Sequence, residues 1–209
     1  MELLAISRMM SKIFSLKRTT RKVKSLRSPN RSYKQLVNTE GLTDPEGYKA
    51  AGCVFTDGKI ILAGYQPRKR VPTISGIGGK KEDGETYMDT AIRETVEELF
   101  DIKVASQLIN ELKTIIPEKI VQNGSYIIAV YTFMNLEDML KHMKSKGITS
   151  KLYNKMPVSL MELIFNRKLV ENPAENPEIS HLALLPLIKH GDAPLVDKYF
   201  IKDMPVLMA

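Results

Sequence analysis

Apolar and polar positions along this chain follow two periods. The runs YKAAGCVFT and KIILAGY read as extended segments joined at Asp57-Gly58, a pair that favours a tight hairpin turn. Residues 71–75 predict a short extended piece, and residues 102–109 and 112–116 predict two short strands. Residues 125–134, carrying Tyr126, Ile127, Ile128, Val130, Tyr131 and Phe133, predict the most deeply buried strand, and residues 179–187 predict the last one. Helical spacing governs elsewhere. After Thr86 neither Gly nor Pro occurs until well past Phe100, and Met88, Ile92, Thr95 and Leu99 form one mostly apolar face. Leu136, Met139, Leu140 and Met143 predict a helix ending before Gly147, and residues 158–165 predict another after Pro157. Gly76, Gly78, Gly79 and Gly84 read as a flexible approach to the first of these helices, and residues 172–178 as a rigid loop.

The helix beginning after Thr86 has a second face that composition alone would not reveal. Glu94, Glu97, Glu98 and Asp101 fall at i, i+3, i+4 and i+7, so four carboxylates share one side. Like charges so placed cost a few tenths of a kcal/mol per pair unless positive charge sits among them. Arg93 is the sole basic residue between Gly84 and Asp101, which makes side-chain neutralisation a poor expectation and a hard divalent cation a better one. A solvated acidic helix is the plainer alternative.

Spacing adds a resemblance. Gly79, five residues, Glu85, seven residues, then Arg93-Glu94-x-x-Glu97-Glu98 resembles the box of the Nudix hydrolase family. Two positions depart from it: Thr95 replaces an aliphatic residue, and Phe100-Asp101 replaces Gly-aliphatic, implying a helix end without a left-handed cap. The resemblance implies an α/β (α+β) fold, an α/β/α sandwich with a mixed central sheet; apolar spacing and charge add to it a helical insert over about 136–172 and a basic N-terminal arm over 1–40 before a domain at 41–209. It implies Mg²⁺ or Mn²⁺ held by Glu97 and Glu98, with Glu94 as ligand or base and the Gly79 carbonyl as a further contact. Arg93 would pair with Glu85 or another of these acids and fix the loop. Arg68, Arg70 and Lys80 would face substrate, and Glu178, rather than Glu175, would add a ligand or the base ahead of the closing strand.

Charge changes the picture at one end only. The formal net charge is +7, but residues 1–40 carry ten basic residues against Glu2 and Glu40, which leaves the remainder close to neutral. That arm, with its amphipathic start and scarcity of acids, is compatible with a mitochondrial presequence, with contact to RNA or an anionic membrane, or with a solvated tail. Cytoplasmic location is the default. No apolar run reaches the length of a membrane span. The single cysteine, Cys53, excludes an internal disulfide and reads as a small buried hydrophobe. His142, His181 and His190 have no zinc-ligand spacing.

The substrate expected from the resemblance is a nucleotide or other nucleoside-diphosphate-linked compound, cleaved by water attacking phosphorus. The run GIGGKKEDGET is similar to that of enzymes acting on damaged nucleoside triphosphates. The basic arm and helical insert resemble mRNA-decapping members, which release m7GDP, although their more usual Pro-Lys-Gly-Lys is absent. A Nudix fold that binds without catalysis is the alternative from another functional class.

Overall fold

A computed structural model of the chain describes residues 34–36, 47–169, 177–187, 193 and 195–208. The rest of the basic arm, the end of the predicted insert and Glu175 lie outside the described residues. Among the described residues eight strands form one sheet: β1 (Lys34–Leu36), β2 (Ala50–Thr56), β3 (Ile60–Gln66), β4 (Thr73–Ser75), β5 (Ile77–Lys80), β6 (Lys119–Asn123), β7 (Tyr126–Thr132) and β8 (His181–Pro186). Its main path is β1-β6-β7-β2-β3-β4, with β5 paired to β2 and β8 to β3. The sheet is mixed: β2 and β7 run parallel, and the other pairs are antiparallel.

Alternation along the strands explains the layers. Cys53, Phe55, Ile127, Ala129 and Tyr131 project into one core, while Val54, Ile128 and Val130 project into the other. The first core is closed by α1 (Tyr87–Phe100), α2 (Ser106–Leu112), α3 (Phe133–Ser145) and α4 (Leu160–Phe165). The second is closed by α5 (Lys198–Met208), through Phe200, Met204 and Leu207. The fold is therefore an α/β/α sandwich. None of the described helices is long and apolar enough to cross a membrane.

The hairpin at Asp57-Gly58 forms as expected: Gly58 has φ +82°, and Asp57 Oδ1 accepts from the Lys59 and Ile60 amides at 2.9 Å. Cys53 is buried, and desolvation pushes its thiol up to about 12.

Several expectations are corrected. Residues 102–109 and 112–116 are not strands. Leu108, Ile109 and Leu112 bury one face at helical spacing, so Ser106–Leu112 folds as α2. The buried strand at 126–132 stops two residues early, because Thr132 caps α3 by accepting from Asn135 N. Gly78 and Gly79 are not in a loop but in β5, paired with Gly52 and Ala51. A methyl group at Gly52 or Gly78 would collide with the Tyr126 hydroxyl, so Tyr126 requires glycine at both positions.

α1 is held firmly at both ends. Thr86 and Asp89 form a reciprocal capping box, and Lys113 Nζ reaches Asp89 Oδ1 at 2.5 Å. At the other end a left-handed cap residue is present, contrary to the expectation from Phe100. Asp101 adopts φ 52°, ψ 48°, its amide donates to Glu97 O, and Lys151 holds its carboxylate at 2.6 Å. Asp tolerates this conformation better than most residues, so the cap has moved one position along.

Candidate active site

The acidic face of α1 lies over β5, the end of β3 and the segment before β8. Arg93, 7% exposed, is its hub. Its Nε donates to Glu85 Oε1 at 2.6 Å, Nη1 to Glu94 Oε1 at 2.8 Å and Glu97 Oε2 at 3.0 Å, and Nη2 to the Lys80 carbonyl at 2.8 Å. One planar fork thus joins the loop acid, two helix acids and the end of β5. A basic side chain does sit among these acids, contrary to the expectation from composition. The three carboxylates around it hold the guanidinium far above its ordinary range, with Glu85 contributing most. Burial pushes Glu85 up, but the Arg93, Glu82 and Thr90 hydrogen bonds outweigh it and hold the carboxyl below its usual value.

Glu98 is different. It is 3% exposed, accepts from the Gly78 amide at 2.8 Å through Oε2, and from Gln66 Nε2 at 3.1 Å through Oε1. Desolvation raises it well above the ordinary carboxylate value, and nearby Glu178 and Glu94 add to the rise. Glu94 is likewise raised, first by burial. Gly79 matters for space: a Cβ there would land on the Glu94 carboxylate. Glu178 is exposed, and Gln66 Nε2 reaches its Oε1 at 3.4 Å.

The structure therefore brings Glu94, Glu97, Glu98, Arg93, Glu85, Gly79 and Glu178 to one region. Arg68 and Arg70 lie exposed on the turn after β3, and Lys80, also exposed, enters the clamp only through its backbone carbonyl, which accepts from Arg93. Lys69, between the two predicted arginines, is the residue whose positive charge acts on Glu98. Gln66 and Ser75 were also not predicted. Ser75 Oγ donates to Gln66 Oε1 at 2.8 Å, and both side chains are buried. The available signal was a polar residue at the inward position of β3, in phase with core-facing Leu62.

Among the described residues no three His, Cys, Asp or Glu side chains are grouped closely enough to hold a metal ion. Arg93 accounts for part of this, because it draws Glu94 and Glu97 to itself. In kind, the donors suit a hard cation: all are oxygens, Glu98 is a desolvated carboxyl beside two other acids, and Gly79 leaves room for Glu94 against the backbone. Glu94 and Glu97 would exchange part of their contact with Arg93 for it.

No family model matches the sequence, and no curated protein matches it. Among solved structures, the chain is similar to a hydrolase of the NUDIX family from Clostridium perfringens, at 11% identity and a TM-score of 0.35, over 78% of this chain and 97% of that one. Likeness at that level carries no weight for the assignment, and the residues of the chain itself must bear it.

Proposed function

We propose that this chain is a divalent-metal-dependent hydrolase of the Nudix type that cleaves the diphosphate linkage of a nucleoside-diphosphate-linked substrate. The observation that carries the reading is the Arg93 clamp beside the buried Glu98 carboxyl, built from residues at the box spacing. Glu97 and Glu98 would hold the cation, with Glu94, Glu178 and the Gly79 carbonyl as further contacts. When bound, Mg²⁺ or Mn²⁺ supplies positive charge against phosphate oxygens and makes water more acidic.

The chain's own groups do the rest. Arg93 fixes the β5–α1 loop by tying Glu85 to the Lys80 carbonyl, so Gly79 stays against Glu94. A carboxylate of the α1 face accepts the proton of the attacking water. Lys69, with Arg68 and Arg70 on the same turn, offers charge to the substrate phosphates.

Product release with Mg²⁺ from ordinary and damaged nucleoside triphosphates and from capped RNA tests this reading. Glu98→Gln should lose at least about 100-fold in turnover while remaining folded, because relief of a carboxyl that burial disfavours as an anion offsets the one donor, Gly78 N or Gln66 Nε2, that the new NH₂ must face. Full activity in that variant would remove the site assignment. Glu94→Gln separates two roles: loss of turnover with Mn²⁺ affinity retained makes Glu94 the base, whereas loss of both makes it a ligand. The ten basic residues of the arm favour a second reading, an RNA-bodied substrate. Release of m7GDP that weakens steeply with salt and on deleting residues 1–33 would support it. Mn²⁺ affinity without turnover on any diphosphate would indicate a binding module.

A further inference from the structure

Gln66 ends β3 with its side chain turned toward α1, and it is 3% exposed. Its single amide nitrogen donates to carboxylates from two distant parts of the chain, Glu98 at 3.1 Å and Glu178 at 3.4 Å. Its oxygen is occupied separately by the Ser75 hydroxyl at 2.8 Å. The orientation of this amide is therefore determined. Turned over, it would aim a carbonyl oxygen at two carboxylates.

The chemistry of the group is as informative as its position. Lys or Arg here would neutralise Glu98 and Glu178 and occupy the space between them. An apolar residue would leave the buried Glu98 Oε1 without its Gln66 donor. A neutral amide does neither: it satisfies one lone pair on each acid and leaves the pair's negative charge available to a cation. The other Glu98 oxygen is already fixed by the Gly78 amide, so Glu98 is held on both sides. Glu178 is exposed and outside regular structure, and anchoring near it comes from the Ser180 amide donating to Tyr65 O, one residue before Gln66.

We propose that Gln66, oriented by Ser75, is a positioning residue that presents Glu98 and Glu178 together as ligands for one divalent cation. It acts through the two carboxylates and does not touch substrate. This inference rests on the metal-dependent reading of the site above.

The test is Mn²⁺ binding to the full chain without substrate, by titration calorimetry and by the electron paramagnetic resonance signal of free Mn²⁺. Gln66→Met keeps volume and removes both donors. Mn²⁺ affinity should fall about 10–100-fold, the usual effect of removing a group that orients a metal ligand. Ser75→Ala should weaken binding by less, and Ser75→Thr should restore it. Combining Gln66→Met with Glu178→Gln should cost less than the product of the two single losses, because both variants remove the same arrangement. A structural filler would not produce that coupling. Wild-type affinity in folded Gln66→Met, or fully independent losses in the double variant, would overturn the inference and leave the metal site standing. No Mn²⁺ binding by the wild type would overturn both. If Gln66→Met does not fold, Ser75→Ala decides the matter: weakened binding rescued by Thr supports the inference, and unchanged binding overturns it.

Discussion

Arg93 illustrates how a single residue can hold an acidic cluster together. Its side chain is 9% exposed, against 12% for Glu85, 15% for Glu94 and 35% for Glu97, so two of its three ion pairs are largely shielded. Shielded pairs are costly to break from one side, because the remaining charge stays buried without a partner. Arg93→Met should therefore lose about 3 kcal/mol in urea unfolding, near the lower end for a buried pair because Glu97 is open to water. Arg93→Lys keeps the charge but cannot reach Glu85, Glu94, Glu97 and the Lys80 carbonyl at once, and should recover less than half. A midpoint for Arg93→Met within 0.5 kcal/mol of wild type would show that water already screens the clamp.

At the scale of elements, the chain is legible where one periodicity dominates and illegible where two compete. β2, β3, β7, β8, α1 and α3 carry long apolar patterns and fold where those patterns place them, apart from the few residues at their ends that caps decide. The α2 region failed because Val104, Leu108, Ile109 and Leu112 satisfy short-strand and helix templates alike, and only burial of one face decides. β5 was hidden by its glycines, which look like loop residues until Tyr126 and Glu94 are seen to need the space. Gln66 and Ser75 were hidden for a related reason: a polar residue in a strand is informative only once its partner across the sheet is known. The acidic face of α1 was legible because helical spacing fixes it without reference to anything else.

α5 was not anticipated, and it carries a titration. Asp203 accepts from Asn123 Nδ2, and burial, with Asp197 adding to it, raises its carboxyl from 3.8 to about 6. Tyr126, packed against the same region, is itself pushed upward, first by burial and then by Asp203. The folded state holds this proton more tightly than the unfolded chain, so stability declines as pH rises from about 4 through about 6 and is constant above. Asp203→Asn keeps an acceptor for Asn123 and removes the titration. It should be more stable than wild type by about 1–3 kcal/mol at pH 7, and the gain should vanish as pH falls toward 4. Urea unfolding at several pH values checks this. An equal difference at pH 7 and pH 4.5 would mean that the carboxyl is already hydrated.

For the whole molecule, the predicted insert does more than lie beside the site. The last four carbonyls of a helix have no partners within it, and for α1 the insert supplies most of them. Asp101 N takes Glu97 O, Ser150 Oγ takes Phe100 O, and Arg167 takes Leu99 O and, at 3.4 Å, Glu98 O. The same guanidinium donates to Ile179 O, Ser180 O and the Tyr153 hydroxyl, so all of its donor atoms are engaged at 8% exposure. Among the described residues its partners are neutral oxygens, and its positive charge sits at the negative end of the α1 dipole. Arg167 thus joins α4, the end of α1 and the approach to β8, which is also the join that sets Glu98 against Glu178. Arg167→Met should lose about 3–5 kcal/mol, since several buried carbonyls would lose their donor at once. Arg167→Lys should recover under half, because one ammonium cannot span both segments. Hydrogen exchange should locate the loss in the last turn of α1 and in β8 before it appears in β2 and β7. If Arg167→Met unfolds at the wild-type urea concentration with unchanged exchange, water or neighbouring donors reach these carbonyls, and the insert is dispensable to the frame that holds the two acids.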